Sequence, residues 1–129
     1  NQRVAETYRK GRVLLAGDAA HVNNPLGGMG MNGGVHDGVN IAKKLVQILN
    51  NKESEELLDL YDRQRRPIAV EYVQAHSIRN KKIMEEKDPK IRRQRQDEIR
   101  AVRDNSDKSF ELMMQVSMIN SINKSNATA

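Results

Sequence analysis

No cysteine and no tryptophan occur in these 129 residues, and one phenylalanine with three tyrosines makes up the whole aromatic content. The first absence excludes disulfides, thiolate metal sites and a cysteine nucleophile. The second leaves almost nothing on which single-stranded nucleic acid could stack, so no nucleic-acid partner is expected. No apolar run approaches the roughly 20 residues a membrane helix needs, and no signal-peptide pattern is present, so no membrane role is expected and the cytoplasm is the expected location. Charge is mixed rather than one-sided: 22 Lys and Arg stand against 17 Asp and Glu, a net of +5. That excess suits an anionic ligand, and it equally suits any solvated helical surface.

What is present is concentrated near the start. Val13-Leu14-Leu15-Ala16 is a continuous apolar run between Gly11 and Gly17, the pattern of a strand covered on both faces. One strand forms no sheet, so its neighbours are expected upstream, and the chain reads as the carboxyl-terminal part of a larger α/β protein. A self-sufficient helical bundle is the alternative. Residues 17–34 then hold six glycines and one proline, a density that breaks regular structure.

The remainder reads as helices. One is expected from Asn32 or Gly33 to about Asn50, burying Val35, Val39, Ala42, Leu45, Val46 and Leu49. Ser54 opens a second, with Leu57, Leu60, Tyr61, Gln64 and Ile68 on one side. Pro67 marks a boundary or kink, and the next helix presents Ile68, Tyr72, Ala75 and Ile83. Asp88-Pro89 starts a solvated helix pinned by Ile91, Ile99 and Val102. Residues 104–109 read as a loop, and Phe110, Met113, Met114, Val116 and Met118 as a short last helix in which the methionines fill core. The Asn/Ser-rich end from Asn120 is expected to fray.

Asp18 follows the apolar run directly. A lone Gly-Asp is more often a turn-capping acid than a ligand contact. Here the glycine-rich loop changes the balance, because its bare amides would stand at the start of a helix whose dipole favours negative charge. Gly28-Met29-Gly30-Met31-Asn32-Gly33 matches G-x-G-x-x-G literally. The dinucleotide fingerprint needs its first glycine immediately after a strand, and a dozen residues intervene, so that reading is rejected.

Gly17-Asp18-Ala19-Ala20-His21, then Pro25, Gly27-Gly28-Met29-Gly30-Met31-Asn32 and Asp37-Gly38-Val39-Asn40-Ile41-Ala42, together with Tyr61-Asp62-Arg63-Gln64-Arg65-Arg66-Pro67, closely resemble the second FAD-binding motif of the class A flavoprotein monooxygenases. These are the aromatic hydroxylases typified by para-hydroxybenzoate hydroxylase. The resemblance spans about residues 10 to 70. It implies the carboxyl-terminal fragment of a Rossmann-like FAD- and NAD(P)-binding α/β fold, mostly helical here with one clear strand. Residues 1–70 would finish the FAD-binding domain and residues 71–129 form a helical region. It further implies that Asp18 bonds the ribityl chain of FAD, that Pro25 lies beside the isoalloxazine, and that the amides from Gly28 through Gly30 and Met31 to Asn32 face its pyrimidine end. NADH or NADPH would be co-substrate, and an aromatic molecule would be hydroxylated with O2 through a flavin hydroperoxide. A homodimer stays open.

No catalytic residue is assigned, and Asp18, His21 and His36 follow no metal-ligand spacing. His21 is expected to hold the loop rather than act as a base, and Asp37 and Asn40 to anchor it. Arg63, Arg65 and Arg66 read as a solvated, salt-bridged face rather than phosphate ligands. Two other readings remain: a flavoenzyme sharing the motif, such as a halogenase or isoprenoid reductase, and a non-enzymatic interaction module built on Lys87 to Arg103.

Overall fold

The computed structural model describes residues 3–129, except for the burial of Gly27 and the side chains of Asn51 and residues 72–74. Four two-residue strands come first: β1 (Arg3–Val4), β2 (Arg9–Lys10), β3 (Val13–Leu14) and β4 (His21–Val22). β1 pairs antiparallel with β4, and β2 with β3, as two separate ribbons. The expected single strand over Arg12 to Ala16 is therefore shorter, and its partner is local, across the Gly11 turn where φ is +60°. Nor is it covered on both faces, since Val13 is 65% exposed. The chain is otherwise helical, as expected: α1 (Gly30–Asn51), α2 (Leu57–Ile68), α3 (Ala75–Glu85), α4 (Pro89–Arg103), α5 (Ser106–Val116) and α6 (Ile119–Ala127).

α2 is the element against which the ribbons are fixed. Tyr8 and Tyr61 are fully buried and meet with ring centroids 5.9 Å apart, joined in the core by Ala20 and Ala69. Around them α2 donates to the main chain of the ribbons. The Tyr61 hydroxyl donates to the Leu15 carbonyl at 2.6 Å, and Arg66 Nε to that of Ala5 at 3.0 Å. The Asp62 carboxylate receives the Tyr8 amide and the Thr7 hydroxyl, while Arg9 pairs with Asp59. Burial first, then the charge of Asp37, pushes both phenols well above their usual ionisation range, so both stay neutral, Tyr61 as a donor and Tyr8 with its hydroxyl buried and unpartnered.

α1 reverses the expected burial. Val35, Val39, Ala42, Leu45, Val46 and Leu49 face outward, with Leu49 76% exposed, and the buried positions are Gly33, Asp37 and Lys44. The periodicity was read from apolar residues, whereas the face packed on α2 is polar and hydrogen-bonded. α1 also begins at Gly30, two residues before the expected start, because glycines there are held by tertiary contact rather than propensity.

α2 follows the expected pattern in part: Tyr61, Gln64 and Ile68 are buried, Leu57 and Leu60 only half-buried, and Leu58 and Arg65 complete the face in their place. Pro67 lies just inside it, and the chain relaxes into a π-type turn over Ala69–Gln74 rather than breaking. In α3 the expected apolar face is exposed at Ala75 and Ile83, Tyr72 lies outside the described side chains, and Ser77 is the buried residue. The Asp88 side chain caps the Lys90 amide at 2.8 Å, and α4 has no buried residue, as a solvated helix should. Its expected pin Ile99 is itself 68% exposed.

Two expectations near the end fail. Only Asp104 and Asn105 separate α4 from α5, because the Asn105 side chain caps the Lys108 amide and starts the helix early. The tail does not fray: α6 forms, and Ser121 and Ser125 are buried. Of the methionines, Met118 packs in a core contact with Met29, while Met113 is exposed.

Replacing Tyr61 with Phe should lower stability in urea denaturation by about 1–3 kcal/mol, because the part-buried Leu15 carbonyl loses its donor.

Candidate functional site

Gly17–Ala19 forms a single 3-10 turn after β3, with Gly17 at φ +58°. That turn sits directly on the beginning of α1. A Cβ added to Gly34 would stand 3.2 Å from the Gly17 Cα, and one added to Gly33 would stand 3.2 Å from the His21 ring. The two glycines are thus required by contact between strand turn and helix.

A buried carboxylate locks this contact. Asp37, 1% exposed, accepts the Gly17 amide (3.1 Å) and His21 Nε2–H (2.7 Å) on Oδ2, and Arg65 Nε–H (2.7 Å) on Oδ1. The Nδ1 of His21 accepts from the Asn23 side-chain amide at 3.1 Å, which fixes the imidazole as the Nε2–H tautomer. Tyr8 stacks on the same ring, centroids 6.2 Å apart. Burial alone would raise the Asp37 pKa. The hydrogen bonds from His21 and Arg65, the Arg65 charge and the Gly17 amide outweigh it, and hold the carboxyl below its usual 3.8. His21 and Asp37 therefore hold the loop, as expected. Asn40 does not: it bonds Gln64 and Lys44 instead. Arg65 departs from the expected solvated face altogether, being 4% exposed and paired with Asp37.

The loop proper is held from the other side. The Asn24 side chain caps the Leu26 amide at the start of a Pro25–Gly27 turn, and Gly28 closes it at φ +64°. From α3, Ser77 donates to the Asn24 carbonyl (3.4 Å) and Asn80 to that of Leu26 (2.9 Å). Met118 packs on Met29, immediately before α1. None of these three supports was legible in the sequence, since they act across 50 or more positions on residue types with no fixed spacing.

Between the two anchors lie the residues singled out for a ligand. Asp18 is exposed, and its carboxylate has no hydrogen-bond or ion-pair partner among the described residues. Pro25, Met31 and Asn32 are exposed as well. No side chain caps α1, and among the described residues no acceptor meets the amides of Gly30, Met31 and Asn32. A Cβ on Gly28 or Gly30 would meet nothing within 4 Å. At Gly28 the positive φ explains the glycine. At Gly30 neither φ nor protein packing does, and the absent side chain leaves the backbone open to close approach from outside.

Residues 1–76 match the model of a family described as "FAD binding domain". The chain is 43% identical over 89 residues to the para-nitrophenol 4-monooxygenase of Pseudomonas sp. strain WBC-3, covering 69% of this chain and 22% of that enzyme. Among solved structures it superposes on p-nitrophenol 4-monooxygenase of Pseudomonas putida DLL-E4 with TM-score 0.84 and 34% identity, over 92% of this chain and 31% of the other. Aklavinone-11 hydroxylase, solved with FAD and aklavinone, matches with TM-score 0.53 and 46% identity over 56% of this chain and 14% of its own. The chain thus spans less than a third of the length of each of these relatives.

Replacing Asp37 with Asn should cost about 3–5 kcal/mol in denaturant unfolding, because Arg65 is left buried opposite a neutral amide. Since folding lowers the Asp37 pKa, the stability it contributes is fully present above about pH 4 and is lost as pH falls further. Unfolding midpoints of wild type and Asp37→Asn, measured between pH 7 and pH 2, should therefore converge at the acid end.

Proposed function

The chain belongs to this FAD-binding-domain family, and we propose that it supplies the flavin-facing corner of an NAD(P)H-dependent monooxygenase that hydroxylates an aromatic substrate with O2. One observation carries the reading. An exposed, unpartnered acid at Asp18 stands one turn from a helix start whose amides are uncapped, and a buried ion pair fixes the two relative to each other. Other folded turns satisfy such groups internally; leaving both open suits a ligand that offers hydroxyls to the acid and an electron-rich edge to the amides.

FAD has both. In this assignment Asp18 accepts from the ribityl hydroxyls, Pro25 borders the isoalloxazine, and the backbone from Gly28 through Gly30 and Met31 to Asn32 faces the pyrimidine edge. When bound, FAD would take a hydride from NADH or NADPH and activate O2 for transfer of one oxygen atom to the ring. The chain's own residues supply binding and electrostatics. The positive end of α1 favours negative charge on the flavin by about 0.3–2 kcal/mol, and the open backbone at Gly30 admits a flat ring at close range. The His21–Asp37–Arg65 cluster carries no chemistry here: it is buried, and it positions the Gly17–Asp18 turn.

The substrate class follows the relatives, which act on a nitrophenol and bind aklavinone, both aromatic. The division near residue 70 is read as the end of the FAD-binding portion, with α3 and α6 buttressing it from behind. The enzyme is assigned to the cytoplasm as part of this reading; among the described residues no helix is long and apolar enough to cross a membrane.

The intact protein carrying this chain should purify with FAD and consume NADH or NADPH in the presence of a phenol and O2. Asp18→Ala should raise the FAD dissociation constant by roughly 5- to 150-fold, equivalent to about 1–3 kcal/mol, with no change in thermal midpoint of the apoprotein. A colourless protein that ignores added FAD, or an Asp18→Ala variant that retains flavin undiminished through dialysis, would overturn the assignment.

A further inference from the structure

Between α1, α2 and α6 lies a small cleft of about 100 Å³, lined by His36, Asn40, Lys43, Arg65, Ser125 and Asn126. It lies about two to four helical turns along α1 from Gly30, away from the amides at the helix start. No acidic residue lines it. The nearest acid in sequence, Asp37, has both oxygens committed, to Arg65 on one side and to Gly17 and His21 on the other.

Arg65 is paired with Asp37, but the two lysines beside the cleft meet no acidic group among the described residues. Lys43 is exposed and has no ion pair or hydrogen bond among the described residues. Behind it, Lys44 is 6% exposed and has only the neutral oxygens of Asn40 and Gln64 to receive its ammonium. Burial, then the neighbouring charges of Lys43 and Arg65, lowers the Lys44 pKa, and burial with the Arg65 charge lowers that of His36. Burial is the larger cause of both shifts, and for His36 the Asp37 charge partly offsets that of Arg65.

A second observation is independent of charge. Ser125 is 2% exposed and lines the cleft, yet its hydroxyl has no hydrogen-bond partner among the described residues. Ser121, one turn earlier on α6, donates to the Met118 carbonyl in the usual way. A hydroxyl that opens on the cleft without a protein partner, beside the unpaired Lys43, is placed for an acceptor that arrives from outside.

We propose that this cleft binds a phosphate group, held by Lys43 and Arg65 as cations and by Ser125 and Asn126 as neutral donors. The volume admits one tetrahedral oxyanion and little more, so any organic portion of the ligand would extend into solvent past Lys43. The inference stands apart from the flavin reading, because none of these residues belongs to the proposed FAD contacts.

The test is calorimetric titration of the intact protein with inorganic phosphate and, separately, with adenosine monophosphate, at fixed ionic strength set by chloride. Saturable one-to-one binding of either ligand is expected. Lys43→Gln and Ser125→Ala should each weaken it at least five-fold while FAD content and the thermal midpoint remain those of wild type. Equal affinity for both ligands identifies a site for the phosphate alone, and tighter binding of the nucleotide identifies a phosphorylated metabolite as the source. Absence of saturable binding below 10 mM, on the order of a 3 kcal/mol interaction, or identical affinity in both variants, would overturn the proposal.

Discussion

A single carboxylate, buried to 1% exposure, ties the strand turn and the segment after it to two helices. Asp37 reaches the strand turn through Gly17, the following segment through His21, and the second helix through Arg65. A buried ion pair of this sort is a weak source of net stability, because desolvation of both charges offsets most of their attraction. What it supplies is specificity. Any shift of α1 against α2, or of the Gly17 turn against α1, strands at least one charge or donor away from water, and the penalty falls on the misaligned states. The surrounding glycines make the same demand sterically, since Gly17 and Gly34 approach too closely for a side chain at position 34 without displacement.

Around that node the protein divides its polar groups into those satisfied internally and those left open. The phenol of Tyr61, the guanidinium of Arg66 and the carboxylate of Asp62 close the main-chain needs of the ribbons. Ser77 and Asn80 do the same for the loop around Pro25. Against these pairings, the bare amides at the start of α1 and the free acid of Asp18 stand out. They are rigidly presented, so an incoming flavin would not have to order them, and the entropic cost of binding falls accordingly.

Local chemistry was the legible part of the sequence. The turn after the apolar run, the glycine loop, the capping of α4 by Asp88 and the Tyr61, Gln64 and Ile68 positions of α2 depend on short-range spacing, and each stands where that spacing puts it. Failures cluster where the deciding partner is distant. Valines at helical period in α1 suggested a core face, yet the side that meets α2 is chosen by Asp37, Asn40 and Lys44, whose value depends on Arg65 and Gln64, 20 to 28 positions on. Arg65 looked like a surface cation because nothing near it in sequence revealed the acid it meets. The tail from Asn120 lacked apolar period, and it is held by serines and by the bond from Gln64 to the Thr128 carbonyl, a kind of packing that composition alone understates.

The outward valine stripe of α1 has a colligative side. Val35, Val39, Val46 and Leu49 place a continuous oily ridge in contact with solvent, and in a detached segment such ridges seek one another. The attraction grows on warming from the cold and under sulfate, and weakens in urea. Handled by itself, the segment should clump in warm sulfate buffers and disperse in cool, dilute chaotrope, so the salt chosen for storage governs how much of it remains in solution.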